Sequence, residues 1–181
     1  VNNLGILYMY NSEFKKAEDF LKKALVISEN SYNQNPIHIA DIKSNLAYVN
    51  QQSSNFKEAK TYHQEALEIK QRYLYPVSPD YAMALQNYGT FLFETGEYLK
   101  AEDYFLKALA IFEKNNDTSS LLYASLMQNL GLLYYTTSRI KESLSNYETA
   151  IEIYSEKGIE NSETLASSLN GKASCLIKLG D

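Results

Sequence analysis

The sequence predicts an all-α protein in which pairs of helices repeat along the chain as a solenoid. One residue type returns every 42 residues, most clearly in the series Asn3, Asn45, Asn87 and Asn129. Within a repeat, apolar residues such as Leu85, Tyr88 and Leu92 recur at the 3.6-residue spacing of a helix. The chain has only seven Gly and three Pro, and several of these stand where helices are expected to begin or end.

Several other positions follow the same 42-residue period, which is the sequence signature of a repeat array. Small residues recur in one series at Gly5, Ala47, Gly89, Gly131 and Ala173, and in two others at Ala17, Ala59, Ala101, Ser143 and at Ala24, Ala66, Ala108, Ala150. Large apolar residues recur at Phe14, Phe56, Tyr98, Ile140 and at Ile27, Ile69, Ile111, Ile153. We therefore expect one array over residues 1–181, with repeats near 1–35, 36–77, 78–119, 120–161 and a partial fifth at 162–181.

Each repeat is predicted to contain a first helix, helix A, and a second helix, helix B. Gly96 in "ETGE" separates the two, and "SSN" at 53–55 and "TSR" at 137–139 are weaker breaks at the same position. Ser78, Ser120 and Ser162 are candidate N-caps of helix A, and Pro36 and Pro79 suit a helix start. The predicted helices lie near 1–11, 14–31, 37–52, 55–74, 79–95, 98–115, 120–137, 140–157 and 163–179.

Composition and charge exclude several classes of function. The 17 basic and 22 acidic residues give a net charge of −5, which argues against the clustered positive charge of a nucleic-acid-binding surface. The longest apolar stretch, 121–135, is shorter than a membrane span and contains Gln128 and Asn129. Cys175 is the single cysteine and has no partner for a disulfide or a metal site. We expect a cytoplasmic protein without a membrane segment, cofactor or metal.

The repeat resembles the tetratricopeptide repeat, in which helix A carries a large, a small and an aromatic residue and helix B carries a small and a large one. The segments "NYGTFL…GEYLKAEDYFLKAL" and "NLGLLYY…RIKESLSNYETAI" show this pattern. The 42-residue period is similar to the longer repeat type of kinesin light chains and of many bacterial regulatory proteins. The resemblance implies a right-handed superhelical solenoid of antiparallel helix pairs. It also implies that Gly89 of helix A lies close to Ala101 of helix B.

A groove is expected on the part of helix A that faces away from these packing contacts. We number helix A so that its small residue, such as Gly89, is position 8. A helix turns by about 100° per residue, so positions 2, 5, 6, 9, 12 and 13 share this arc. In stacked repeats the arc would line a concave surface. The candidate groove residues are Asn45, Tyr48, Gln86, Asn87, Phe93, Gln128, Asn129 and Tyr135.

These side chains are amides and aromatics, with Asp41 and Glu94 the only charged residues in the arc across four repeats. An amide offers donors and an acceptor that match the backbone of an extended peptide. The alternative interpretation is that each Asn satisfies a polar group of a neighbouring helix. If the groove binds a peptide, the absence of Lys and Arg predicts a neutral or weakly basic segment with apolar anchors.

No catalytic constellation is present. His38 lies at a helix start, His63 occupies a packing position of helix B, and Cys175 follows a core pattern. Two hypotheses for function therefore stay open: a scaffold that binds protein or peptide segments, or a sensor or regulatory segment of a larger bacterial protease or signalling enzyme. The chain starts and ends inside a repeat, so we expect a fragment in either case.

Overall fold

The computed structural model describes residues 1–159 and 162–180, and in these two ranges it contains nine α-helices and no strand. The helices are α1 (Asn2–Tyr10), α2 (Phe14–Glu29), α3 (Pro36–Gln52), α4 (Phe56–Tyr73), α5 (Pro79–Glu94), α6 (Tyr98–Lys114), α7 (Leu121–Thr136), α8 (Ile140–Glu156) and α9 (Glu163–Leu179). All observed ends fall within two residues of the predicted ones. The all-α prediction is confirmed, with odd-numbered helices as helix A and even-numbered ones as helix B.

Each helix A ends at a residue in the left-handed backbone conformation. These residues are 42 apart and have φ values of 58° at Ser12, 61° at Ser54, 80° at Gly96, 64° at Ser138 and 90° at Gly180. At the turn between α5 and α6, the Gly96 N–H donates to the Phe93 carbonyl and the Glu97 N–H donates to the Leu92 carbonyl. This pair of bonds is a Schellman motif, which satisfies carbonyls that the helix leaves open. The predicted breaks therefore end helix A even where serine replaces glycine.

Polar side chains cap the start of three A helices. Ser120 Oγ accepts a hydrogen bond from the Tyr123 N–H at 3.2 Å, and Ser162 Oγ accepts one from the Leu165 N–H at 3.1 Å. Asn35 caps α3, with Pro36 as the first helical residue. These side chains satisfy backbone donors that have no partner inside the helix. The N-cap predictions at 120 and 162 are confirmed.

The chain divides into two compact units, Val1–Phe91 and Leu92–Asp181. In the first unit α1 packs on α2, α2 on α3, and α3 on α4. Short turns join each helix A to its helix B, which makes them antiparallel neighbours. The fully buried core of this unit includes Leu21, Ile42, Leu46 and Val49. These residues lie on the apolar faces that the helical spacing predicts.

The first unit also buries a histidine at the aromatic position of helix B. The His63 ring centroid lies 5.9 Å from that of Tyr88 and 5.2 Å from that of Phe91. Its Nε2 lies 3.2 Å from Gln51 Oε1, so the imidazole has a polar partner. Burial lowers the pKa of His63 from 6.5 to about 4. His63 is a core residue, as its position in the repeat predicts.

In the second unit α7 packs on α6, α8 and α9. Gly131 of α7 faces Tyr147 of α8, because a Cβ atom at Gly131 would lie 3.0 Å from two carbons of the Tyr147 ring. Ser143 Oγ donates to the Gly131 carbonyl at 2.7 Å. The first unit has the same close approach, since a Cβ at Gly5 would lie 2.8 Å from Leu21 Cγ. Helix A thus uses a glycine where helix B brings a large side chain against its backbone.

Replacing Gly131 with leucine should lower the free energy of unfolding by about 1–3 kcal/mol, because the new side chain overlaps the Tyr147 ring. Urea denaturation followed by circular dichroism measures this loss. Thr136→Leu, at an exposed position of the same helix, is the matched control and should change stability by less than about 0.5 kcal/mol. Equal stability of Gly131→Leu and wild type would contradict the close packing described here.

The stability of the protein should depend on His63 at mildly acidic pH. The folded-state pKa lies below the ordinary value of 6.5, so the unfolded chain binds the proton more readily than the folded one. Stability is therefore complete above pH 6.5 and decreases as the pH falls toward 4. The loss from this group is about 3 kcal/mol.

Urea denaturation between pH 7 and 4 measures this dependence. His63→Phe should have a flatter stability profile between these values, since Phe105 occupies the equivalent position one repeat later. His38→Phe changes an exposed histidine and should keep the wild-type slope. Identical slopes for His63→Phe and wild type would show that His63 is not the group responsible.

Candidate functional site

The predicted groove positions of the first unit lie on α3 and α5. Asn45 is partly exposed, Asn87 is exposed, and Tyr48 is 44% exposed. The Tyr48 ring packs edge-to-face on Phe14 at 6.5 Å between centroids, which leaves part of the ring open to solvent. These positions lie on the outer arc of helix A because the other sides of α3 pack against α2 and α4. In each unit, we call the arc positions of its A helices the helix-A face of that unit.

The amides of Asn45 and Asn87 make no side-chain hydrogen bond within residues 1–159 and 162–180. An amide carries two N–H donors and an acceptor oxygen, all of which can bond a ligand here. Asn129 differs, because its side chain has an interaction partner inside the protein. Local satisfaction of polar groups therefore does not account for Asn45 and Asn87.

Gln86 does not lie on the open part of this face. Its residue is only 7% exposed, although its position in the repeat predicts a groove residue. Position 5 stands at the edge of the arc, next to the side of helix A that packs on helix B. The equivalent Gln128 is partly exposed, and its Oε1 accepts a hydrogen bond from the Tyr154 hydroxyl at 3.3 Å. Both glutamines are tied to the packing more closely than the helical arc alone suggests.

The second unit contributes aromatic residues to its helix-A face. Phe93 is partly exposed and its ring lies 5.5 Å from that of Tyr98. Tyr135 is also partly exposed, and Lys178 Nζ of α9 lies 4.1 Å from the centroid of its ring. This distance allows a cation–π interaction. Tyr135 thus presents an apolar surface next to a positive charge.

Sequence reasoning missed Lys178 because it considered only the complete repeats. The signal was available, since Lys178 continues the series of Glu94 and Thr136 at the 42-residue period. Exposed apolar residues also lie on the same face, at Leu132 of α7 and Ile177 of α9. The helix-A face of the second unit therefore combines one cation with apolar and aromatic surface.

Charged residues near the face of the first unit are paired within the protein. Lys70 Nζ, which is almost fully buried, lies 2.7 Å from Asp41 Oδ1. Lys43 Nζ lies 2.7 Å from Glu65 Oε2 and 3.5 Å from Glu29 Oε1. Removing Asp41 would leave the buried Lys70 ammonium without its counter-charge, whereas the carboxylates themselves are about half exposed. These ions hold helices together and do not form a cluster of free cations for an acidic ligand.

The described residues contain no cluster of side chains that could bind a metal ion. No group of three or more His, Cys, Asp or Glu side chains in residues 1–159 and 162–180 is arranged to hold a metal ion. Cys175 is fully buried, with its Sγ 3.2 Å from Ser143 Oγ. In the same part of the chain, no helix has the length and apolar character needed to span a membrane.

Comparison with known proteins agrees with the repeat geometry. A family model described as tetratricopeptide repeat matches residues 1–72, 38–114 and 80–156, which together make up most of the chain. The chain belongs to the tetratricopeptide repeat family. No curated protein sequence matches this tetratricopeptide repeat chain.

Solved structures of similar fold include kinesin-light-chain-like repeats. BtubC (BKLC) from P. vanneervenii matches with a TM-score of 0.85 at 23% identity, covering 98% of this chain and 71% of that one. A putative kinesin light chain from Podosopora anserina with nearly identical TPR-like repeats matches with a TM-score of 0.77 at 15% identity. The match covers 99% of this chain and 85% of that one. A Rap protein complexed with Competence and Sporulation Factor matches with a TM-score of 0.80 at 20% identity. The match covers 99% of this chain and 48% of that one. At these identities the likeness shows the fold, which confirms the predicted helical solenoid class.

Proposed function

We propose that this tetratricopeptide repeat protein is a scaffold that binds an extended peptide segment along the helix-A face of its first unit. The observation that carries the proposal is the pair of solvent-accessible amides at Asn45 and Asn87, which have no hydrogen-bond partner in the described part of the chain. They recur 42 residues apart, at the same position of successive A helices. A regular series of amides suits the regular donors and acceptors of a peptide backbone.

The aromatic residues supply the apolar part of the proposed grip. Tyr48 in the first unit and Phe93 and Tyr135 in the second are each at least partly exposed. An exposed ring buries a large apolar area when a ligand side chain packs on it. Because an aromatic side chain has only two rotatable torsion angles, fixing it on binding costs little conformational entropy. In the first unit, a bound segment with an apolar or aromatic side chain would contact the Tyr48 ring while its backbone contacts the amides of Asn45 and Asn87. The rings of the second unit offer the same kind of apolar contact to a segment bound there.

The charge distribution favours a neutral or weakly basic segment. The first unit carries nine basic and nine acidic side chains, while the second carries eight basic and thirteen acidic ones. The net charge of −5 therefore belongs entirely to the second unit. A weakly basic segment would be attracted to this unit, and Lys178 would disfavour a strongly basic one.

A regulatory segment of a larger enzyme is the second candidate function. Two solved structures of similar fold belong to longer chains, of which this chain covers 44% for aspartyl phosphate phosphatase F from Bacillus subtilis and 48% for the Rap protein. The Rap complex shows that a protein of similar fold binds a partner. Under this hypothesis the helix-A face performs the same binding, and a catalytic domain responds to it.

Replacing both Asn45 and Asn87 with alanine should weaken peptide binding by about 5- to 150-fold, at about 0.5–1.5 kcal/mol for each lost set of hydrogen bonds. The probe is the tightest-binding peptide selected on the wild-type protein from a random 12-residue phage library. Calorimetric titration measures its affinity. The thermal midpoint should stay near the wild-type value, because neither amide bonds the rest of the protein and alanine favours helix.

Asn33→Ala, which removes an exposed amide from the loop before α3, is the matched control and should bind like wild type. A double variant that unfolds easily but binds normally would show that the asparagines are structural. Failure of every library to yield a peptide that binds the wild-type protein would contradict the proposed function itself.

A further inference from the structure

The asparagine series of the A helices ends in a glycine. The position 42 residues after Asn129 is Gly171, in α9. A Cβ atom placed at Gly171 would lie 2.3 Å from Tyr147 Cζ and 2.6 Å from both Cε atoms of that ring. Real Cβ atoms do not come this close to another heavy atom. The end of the Tyr147 ring therefore occupies the space of the side chain that Gly171 lacks.

The Tyr147 side chain extends from α8 and contacts both α7 and α9. The atoms that lie nearest to Gly131 of α7 are Cδ1, Cε1 and Cγ, on the near half of the ring, whereas the atom nearest to Gly171 is Cζ, which carries the hydroxyl. The ring thus passes from one glycine to the other with its polar end directed toward α9. Two glycines, one on each neighbouring A helix, make room for a single tyrosine.

Tyr147 is only 4% exposed and its hydroxyl makes no hydrogen bond in residues 1–159 and 162–180. Its oxygen is not among the fully buried atoms without a partner in those residues, so the hydroxyl reaches solvent at the end of a buried ring. A tyrosine can bury its ring and still present its hydroxyl for a hydrogen bond. Burial, together with charge on Cys175 and Tyr135, raises the pKa of Tyr147 to about 12. The phenol is therefore neutral at physiological pH and keeps its proton to donate.

We propose that the Tyr147 hydroxyl replaces the asparagine amide at this position and donates a hydrogen bond to a backbone carbonyl of a peptide bound across α7 and α9. The inference rests on the proposed function and assigns it a binding residue that belongs to helix B. Tyr135, which lies on the helix-A face, is an electrostatic neighbour of the phenol. The end of the Tyr147 ring lies against Gly171, which is itself an arc position of α9.

Packing alone does not explain a tyrosine here. The equivalent positions of the other B helices hold Leu21, His63 and Phe105. Phe105 is only 1% exposed and fills its site without a hydroxyl. Each of these three residues is followed 24 positions later by an asparagine, while Tyr147 is followed by Gly171. In this last repeat pair the polar side chain therefore comes from helix B instead of helix A.

Tyr147→Phe tests the inference, because it removes the hydroxyl and keeps the ring. The probe is a 12-residue peptide from the same library that loses affinity for the Tyr135→Ala variant and therefore contacts the second unit, titrated calorimetrically. We expect its affinity to fall about 3- to 10-fold while the thermal midpoint stays the same or rises, since the lost hydroxyl has no partner in the protein. Tyr123→Phe, which alters another buried tyrosine of the same unit, should bind like wild type.

A second measurement identifies the ligand atom involved. Each backbone amide of the peptide is replaced in turn by an ester, whose carbonyl is a weaker acceptor. One of these replacements should weaken binding to the wild-type protein and have no effect on binding to Tyr147→Phe. Equal effects on both proteins at every ester position would overturn the assignment of the carbonyl.

The outcomes separate this inference from the function on which it rests. If the peptide binds wild type and Tyr147→Phe equally, the role of Tyr147 is wrong and the proposed function stands. If Tyr147→Phe loses stability, its hydroxyl serves the fold, which also overturns the inference. If no library peptide binds the wild-type protein, both proposals fail together.

Discussion

The close approach of helix B to the backbone of helix A is the contact on which the rest of the structure depends. It requires a residue without a bulky side chain on helix A, such as Gly5 against Leu21 or Gly131 against Tyr147. The Ser143 bond to the Gly131 carbonyl shows how near the two backbones come. Glycine weakens a helix by about 1 kcal/mol relative to alanine. The packing that it permits compensates for this loss, and the contact recurs at a fixed 42-residue spacing.

This contact also determines which side chains are available for binding. Helix A packs on the helices beside it, so only the remaining arc reaches solvent. On that arc, apolar packing no longer selects the residue, and the chain places asparagine at the same position in four repeats. Asn45 and Asn87 are not used for internal hydrogen bonds in the described residues. The exposed arc, on which we propose that a peptide binds, is therefore a consequence of how the helices pack.

Sequence periodicity was sufficient to predict the helices because each boundary depends on local chemistry. Serine N-caps and left-handed turn residues act within a few positions of the helix end, and both repeat every 42 residues. The site was less predictable. The burial of Gln86 depends on contacts with other helices, and the reach of Tyr147 past Gly171 joins residues of two helices. Such contacts depend on the direction of each side chain in three dimensions. Helical periodicity gives only the angular position of a residue on its own helix.

The central claim is that the asparagine series forms the peptide-binding face, and side-chain amide signals in nuclear magnetic resonance spectra test it most directly. The library-selected peptide is titrated into protein labelled with nitrogen-15, after assignment of the asparagine side chains. Peptide binding should give the largest shifts at the amides of Asn45 and Asn87, with little change at Asn30 and Asn146, whose amides bond the carbonyls of their own helices. Large shifts at Asn30 or Asn146, with the helix-A amides unmoved, would contradict it.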